Sequence, residues 1–201
     1  MVKISDIRKI TPRSNKTRKI TDITHIARHH SATDTGDFEA FMKYWREEKG
    51  WGTGGYNEII LRDGTVQICY DPEEITNGVG GHNPTTYHIC LVGNGSFTLA
   101  QEKAWEERAL YNLKRLKLPI SKVWGHKEFK GTNTACPGVD MGVVRNRLTY
   151  LKAKSEEVKP VANKKVYRVV TGSFAEKENA EAQVKALKKA GFKRPVRPPA
   201  T

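Results

Sequence analysis

Short β-forming runs alternate with amphipathic helical segments along residues 1–153, and this alternation is the strongest constraint on the fold. Segments 37–50 and 98–117 each place apolar side chains along one helix face. Runs such as 23–29 and 87–92 have the length and composition of strands. Because strands and helices that alternate along a chain usually form a sheet covered by helices, the sequence predicts an α/β fold with a central mixed β-sheet flanked by helices.

The pair Asp63-Gly64 separates two β-forming runs, at residues 56–61 and 65–70. An Asp-Gly pair between such runs is a strong hairpin signal, because glycine adopts the left-handed conformation that a tight turn requires. The sequence therefore predicts two antiparallel strands here. The following segment, 71–86, holds many Gly, Asn and Pro residues and is predicted to be a loop.

The composition changes after the first 153 residues. Residues 154–164 are polar and contain a proline, as expected of a linker. The rest is expected to form a small appendage, whose strand, helix and second strand are predicted at residues 166–171, 175–190 and 192–196. The predicted organisation is a catalytic domain over 1–153, a linker over 154–164 and a β-α-β appendage over 165–201.

Basic residues outnumber acidic ones, with 35 Lys and Arg against 22 Asp and Glu and a formal net charge of +13. Such a surplus indicates a polyanionic partner, and nucleic acid, an anionic membrane surface and the bacterial cell wall all meet that description. Membrane insertion is not expected, because no run approaches the roughly 18 apolar residues that a membrane span needs. Nucleic-acid binding is not expected either, since the chain has no basic recognition helix or aromatic stacking motif.

Three short strings carry side chains that can bind a metal ion: His29-His30-Ser31-Ala32-Thr33, Gly125-His126-Lys127-Glu128 and Ala135-Cys136-Pro137-Gly138. Ligands at strand ends and in the loops that follow can converge above a sheet. One histidine of the first string, with His126 and Cys136, would form a three-ligand zinc site. A catalytic zinc takes three protein ligands and leaves a fourth position, where the pKa of bound water falls toward about 7. The spacing alone does not choose between His29 and His30.

Together with two further strings, these residues resemble the type 2 family of zinc-dependent N-acetylmuramoyl-L-alanine amidases. That family includes short phage amidases and the animal peptidoglycan recognition proteins. The further strings lie at residues 55–66 and 87–93, and Thr134 extends the cysteine string at its start. All of them occur in the family's order, and the resemblance covers about residues 21–150.

The resemblance implies that His29, the first histidine of the family's His-X-Ser string, is the first Zn²⁺ ligand, with His126 second and Cys136 third. Members that only bind the cell wall commonly lack this cysteine, so Cys136 favours catalysis. Tyr56 matches a tyrosine that lies near the metal in several members and assists the reaction. Thr134 stands where the short phage enzymes carry a lysine, and its hydroxyl can donate one hydrogen bond to a developing oxyanion.

Four further residues are candidates for the site. Glu58 is a second candidate for the base, because it lies two residues from Tyr56 and is expected on the same strand face; an exposed strand carboxylate is the alternative. His82 and Asn83, in a Gly-rich loop, are expected to contact substrate. Trp51 is expected to line a substrate groove, with core packing as the alternative.

The C-terminal segment resembles the sporulation-related (SPOR) repeat, a module that binds peptidoglycan glycan strands. The matching stretches are 167–174, 178–182 and 187–192, and they cover only part of a full module. The resemblance implies a cell-wall-binding unit. A basic helical tail without specific binding is the alternative.

These resemblances predict a zinc hydrolase that cleaves the amide bond between N-acetylmuramic acid and L-alanine of bacterial peptidoglycan, as a phage or prophage endolysin. The alternatives are a host autolysin of the same chemistry and a non-catalytic peptidoglycan-binding protein. No secretory signal is recognised after Met1, so synthesis in the bacterial cytoplasm and action on the wall after release are expected. The expected partner is peptidoglycan, both glycan strand and stem peptide, and pairing of two chains through the C-terminal unit stays open.

Overall fold

In the computed structural model, which describes residues 2–13, 16–157 and 174–191, the residues up to 157 are built round a six-stranded mixed β-sheet. The strands in chain order are β1 (Ile4–Asp6), β2 (His25–His30), β3 (Glu58–Ile60), β4 (Val66–Ile68), β5 (Thr86–Leu91) and β6 (Val123–Gly125). Their order across the sheet is β1-β4-β3-β5-β2-β6. Strands β5 and β6 each run parallel to β2, and β3 runs parallel to β5 but antiparallel to β4. The predicted mixed sheet is confirmed.

Helices cover both faces of this sheet. They are α1 (Phe38–Glu47), α2 (Leu99–Arg115) and α3 (Met141–Glu157), and α4 (Lys177–Lys189) lies in the C-terminal unit. On one face, Trp105 of α2 and Leu148 of α3 belong to the same buried cluster as Ile89 of β5. On the other face, Trp45 of α1 belongs to a second cluster with Ile59 of β3. The α/β fold class is therefore confirmed.

The helix starts follow the capping chemistry of the sequence. The carboxylate of Asp37 accepts a hydrogen bond from the Ala40 backbone N–H at 2.9 Å, which caps α1. At the start of α2, the Thr98 hydroxyl accepts from the Gln101 N–H and the Gln101 side chain accepts from the Thr98 N–H, both at 3.1 Å. These two bonds satisfy backbone donors that the first helical turn leaves free.

The hairpin between β3 and β4 forms as predicted. Ile60 lies opposite Val66 across the antiparallel pair. Gly64 has a φ of +83°, a left-handed conformation that an L side chain rarely adopts. The Asp63 carboxylate accepts from the backbone N–H and the hydroxyl of Thr65 and so stabilises the turn.

The C-terminal predictions are tested only in part. Helix α3 continues to Glu157, past residue 153, where the catalytic domain was predicted to end, and into the predicted linker. This stretch is rich in helix-forming Lys and Glu and has no proline before position 160. Helix α4 lies within the predicted segment 175–190. The chain divides into two compact units between Val158 and Lys159. The strands predicted at 166–171 and 192–196 lie outside the described residues, and the domain boundaries stay predictions.

A buried ion pair joins α2 to the sheet. Glu58 of β3 is fully buried, and its carboxylate accepts two bonds from the Arg108 guanidinium, at 2.7 and 2.8 Å. The Asn112 amide and the Tyr87 hydroxyl also donate to it, each at 2.8 Å. A charge buried this deeply is tolerated only where it is paired and hydrogen-bonded. The Arg108 guanidinium supplies the opposite charge to Glu58, and the four hydrogen bonds together satisfy its carboxylate.

The expectation that Glu58 shares a strand face with Tyr56 is therefore wrong, and so is the alternative of an exposed carboxylate. Strand β3 begins only at Glu58. One residue earlier, the side-chain oxygen of Asn57 accepts from the His88 backbone N–H at 3.0 Å, in the place where a strand carbonyl would act. The alternation of faces holds only within a regular strand, so it does not extend back to Tyr56. Glu58 faces α2, on the side of the sheet opposite to Tyr56.

Replacing Glu58 with Ala is expected to lower the free energy of unfolding by about 3–5 kcal/mol, because Arg108 would be left largely buried without its counter-charge. Urea titration of the full chain followed by circular dichroism measures this loss. The control is Glu106→Ala, which removes a pair whose Arg147 partner is half exposed and should cost much less. Similar losses in the two variants would contradict this account of the ion pair.

Candidate metal centre

Parallel strand pairing brings two histidines to one edge of the sheet. Arg28 of β2 lies opposite Gly125 of β6, so the next residues, His29 and His126, emerge side by side. Their ring centroids are 4.9 Å apart. The carboxyl ends of parallel strands meet at the same sheet edge. Residues almost a hundred positions apart in the sequence can therefore bind the same ion there.

The loop after β6 returns the cysteine to this edge. The Lys127 N–H donates to the Cys136 carbonyl at 2.8 Å, which closes the loop. The His30 N–H lies 3.3 Å from the Cys136 Sγ and donates to it. The thiol is thus held beside the end of β2 by two backbone contacts.

His29, His126 and Cys136 form a group that can hold a metal ion. Among the described residues, one ligand atom from each lies within 4.8 Å of the other two. The Cys136 Sγ is 3.7 Å from the His29 Nδ1, and both side chains are buried, while His126 is half-buried. Two imidazole nitrogens and one sulfur suit a divalent transition metal and leave a coordination position for a further ligand. Of the two histidines that the spacing left open, the structure places His29 in this group.

Burial prepares the histidines for metal binding. It lowers the pKa of His29 well below its usual 6.5, and the neighbouring His88 and His126 add to the effect. Burial also lowers the pKa of His126, with a contribution from His30. Both rings are therefore neutral at neutral pH, which is the state in which an imidazole nitrogen can bind a metal.

Burial changes the pKa of the cysteine in the opposite direction, upward. Burial raises the pKa of the Cys136 thiol to about 11, although the His30 N–H and the charge of Lys127 act against the rise. The metal-free thiol thus keeps its proton at neutral pH. Binding of a metal as thiolate releases that proton.

Tyr56 lies directly beside the group. Its ring centroid is 5.0 Å from that of His29 and 5.5 Å from that of Trp45, so α1 supports the tyrosine against the ligand. Burial raises the pKa of Tyr56 well above 10, and Cys90 and Cys136 add to the rise. The phenol stays protonated and can donate a hydrogen bond.

Thr134 belongs to the same loop as the cysteine ligand. Its hydroxyl oxygen accepts from the Cys136 backbone N–H at 3.1 Å. This contact uses a lone pair of the oxygen and not its hydrogen, so the hydroxyl can still act as a donor.

The three residues expected to contact substrate each contact another part of the protein. The His82 Nε2 lies 3.0 Å from the Lys130 carbonyl oxygen. The Asn83 side-chain oxygen accepts from the Val79 N–H at 2.7 Å and closes its loop. Trp51 stacks on Trp45, with 6.4 Å between ring centroids, and so extends the aromatic group that supports Tyr56. Their roles in substrate binding stay predictions.

His88, which the sequence analysis does not single out, also lies against His29. Its Nδ1 lies 3.1 Å from the His29 Nε2, on the side of the ring away from Cys136. Burial lowers the pKa of His88 well below its usual value, and the positive charge of Arg18 adds to the effect. The only signal in the sequence is a histidine in a strand otherwise composed of apolar and hydroxyl side chains, and that signal does not reveal which strand lies beside it.

Comparison with known proteins identifies the family to which the chain belongs. The model of the N-acetylmuramoyl-L-alanine amidase family matches residues 19–139. The chain belongs to this family. The SPOR domain model matches residues 142–197, a match that begins within α3. The family resemblance predicted from the motifs is confirmed.

Phage proteins are among the similar sequences. The endolysin of Klebsiella phage KP32 is 32% identical over 135 residues, which are 61% of this chain and 85% of that protein. The endolysin of Escherichia phage T7 is 29% identical over 136 residues, 63% of this chain and 86% of that protein. Both alignments thus span most of the phage protein.

Solved structures share the fold. The Ph2119 endolysin from the Thermus scotoductus bacteriophage superposes with a TM-score of 0.61 at 23% identity, over 73% of this chain and 98% of that one. Bumblebee PGRP-SA superposes with a TM-score of 0.61 at 20% identity, over 73% and 95% of the two chains. In the part of the chain that the structure describes, no helix has the length and apolar character needed to cross a membrane.

Gly125 of β6 lies close against the cysteine loop and the start of α3. A Cβ at this position would lie 2.7 Å from the Pro137 Cδ and 2.9 Å from the Met141 Cγ. We expect Gly125→Ala to push the loop away from His126 and to weaken binding of a divalent metal by about ten-fold or more. Changes to residues that support metal ligands typically reduce metal affinity by this much.

Competition with a chromophoric chelator measures this affinity. The matched control is Gly80→Ala, because a Cβ at Gly80 would meet nothing within 4 Å. Wild-type affinity in Gly125→Ala would show that the close approach does not position the ligands.

Proposed function

We propose that the chain is a zinc-dependent N-acetylmuramoyl-L-alanine amidase that hydrolyses the amide bond between N-acetylmuramic acid and L-alanine of bacterial peptidoglycan. The observation that carries the proposal is the convergence of His29, His126 and Cys136 at one edge of the sheet, in a chain of the amidase family. Members of the family that only bind the cell wall commonly lack this cysteine, so its presence favours hydrolysis over binding alone.

The donor set fits Zn²⁺. Histidine nitrogen and cysteine sulfur are the ligands that zinc commonly takes in proteins, and three protein ligands are typical of catalytic sites. When bound, zinc supplies a Lewis acid that polarises the scissile carbonyl and lowers the pKa of a coordinated water. His29 and His126 would hold it as neutral imidazoles, and Cys136 as a thiolate.

The surrounding residues supply positioning and hydrogen bonds. Tyr56 keeps its phenol proton and lies against His29, so it can donate to the oxygen that gains negative charge as the amide carbonyl is attacked. Thr134 adds a second, uncharged donor from the ligand loop. Glu58 takes no part in the proposal, because its carboxylate is occupied by Arg108, Asn112 and Tyr87 on the far side of the sheet.

We further propose that the protein acts on the cell wall as a phage endolysin. The curated relatives are endolysins of phages that infect enteric bacteria, and each is matched over most of its length. The match of residues 142–197 to the SPOR domain supports attachment to peptidoglycan glycan strands. The net charge of +13 suits the anionic polymers of bacterial walls.

Mass spectrometry of digested cell walls tests the reaction. The expected products are stem peptides with a free L-alanine amine and glycan strands with a free lactyl carboxylate. Cys136→Ala is expected to lose both zinc and activity, while Cys69→Ala, a change at another buried cysteine, keeps both. Cleavage within the glycan or within the peptide, or wall binding with no release, would overturn the proposal.

Tyr56→Phe tests the hydrogen-bond donor separately from the metal. We expect kcat to fall by about 10²–10³-fold, the loss typical for removal of one oxyanion donor, while zinc content stays at the wild-type level. The control is Tyr44→Phe, because Tyr44 is exposed on α1. A wild-type rate in Tyr56→Phe would remove the phenol from the mechanism.

A further inference from the structure

His88 lies behind the ligand His29, on the neighbouring strand. In the parallel pairing of β2 and β5, His88 stands opposite Ala27 and Cys90 stands opposite His29. His88 is therefore diagonal to His29 on the same face of the sheet. The two ring centroids are 5.3 Å apart, and the His29 Nε2 is 3.1 Å from the His88 Nδ1, a hydrogen-bond distance.

The two nitrogens of His29 have different partners. Its Nδ1 faces the Cys136 Sγ at 3.7 Å, on the side of the metal group, and its Nε2 faces His88. A metal ion bound at Nδ1 uses the lone pair of that nitrogen, so the ring hydrogen resides on Nε2. The Nε2–H then needs an acceptor, and the Nδ1 of His88 is in place to accept it.

The surroundings hold the His88 ring in position. Its backbone N–H donates to the Asn57 side-chain oxygen at 3.0 Å, and its carbonyl accepts from the Asn57 N–H at 2.9 Å. The loop passes against the ring at Gly78, where a Cβ would lie 2.5 Å from both the Cγ and the Nδ1 of His88. The ring is completely buried and has little freedom to turn away.

We propose that His88 is a positioning residue that accepts the Nε2–H of His29 and so fixes His29 as the tautomer that binds metal through Nδ1. The inference rests on the proposed function, since it concerns the metal that His29 would hold. Hydrogen-bond acceptors behind ligand histidines orient the ring and raise its basicity, and their loss typically costs about 10–100-fold in metal affinity or activity.

Two substitutions separate hydrogen bonding from packing. His88→Leu removes the acceptor while keeping a side chain that fills much of the space, and it is expected to weaken zinc binding by about 10–100-fold. His88→Asn places an amide oxygen near the position of Nδ1 and is expected to restore most of the affinity. The control is His25→Leu, which changes a partly buried histidine near Trp124 and should leave the affinity unchanged.

The readouts are the dissociation constant for zinc, measured against a chelator, and the thermal unfolding of the metal-free chain. Weaker zinc binding in His88→Leu with recovery in His88→Asn supports the inference. If zinc affinity follows metal-free stability in both variants, His88 merely packs, and the inference fails. Wild-type affinity in His88→Leu also overturns it. Failure of the wild-type chain to bind zinc would instead refute the proposed function and this inference with it.

Nitrogen-15 NMR of the zinc-loaded wild-type chain decides the question even where the variants do not fold. The ring nitrogens report which tautomer each histidine adopts. We expect the hydrogen on Nε2 in both His29 and His88. A hydrogen on the Nδ1 of His88 would make that nitrogen a donor and would overturn the inference.

Discussion

The parallel pairing of β2 with β6 is the contact on which the site depends. It places the carboxyl ends of two distant strands side by side, and the two histidines follow as the first residues beyond that pairing. The positions of these two ligands are therefore fixed by the sheet, which is more rigid than a loop. His126 begins a short 3-10 turn directly after β6, and Cys136 lies in the loop that follows. Backbone contacts at Lys127 and His30 hold that loop to the strand ends.

The two faces of the sheet serve different purposes. The face toward α2 and α3 carries a large apolar cluster and the Glu58–Arg108 pair, which tie the helices to the strands. The face toward α1 carries the site. Trp45 of α1 packs against Tyr56, and Tyr56 packs against the ligand His29, so α1 supports the position of that ligand. Burial on this face also keeps the imidazoles neutral and the phenol protonated, so one physical cause prepares several groups for their roles.

How much the sequence could predict depended on whether a signal was local. The hairpin at Asp63-Gly64 and the helix predicted within residues 98–117 depend on local signals in the sequence, and both are confirmed. The three metal ligands could be predicted because the strings that contain them resemble those of a known family, and the structure brings the three residues together. Glu58 was assigned to the wrong face because the alternation rule was extended across Asn57, where a side-chain oxygen takes the place of one backbone carbonyl in the pairing with His88. The position of His88 beside His29 was not predicted, because it arises from the register between β5 and β2, which the sequence does not show.

The central claim is that two imidazole nitrogens and one thiolate sulfur hold a zinc ion. X-ray absorption at the zinc K-edge of the loaded protein tests it most directly, because nitrogen and sulfur scatter at different distances. The account predicts one sulfur at about 2.3 Å and two nitrogens at about 2.0–2.1 Å, with a further light atom completing a tetrahedral site. A first coordination shell without sulfur, or one with two or more sulfurs, would contradict it.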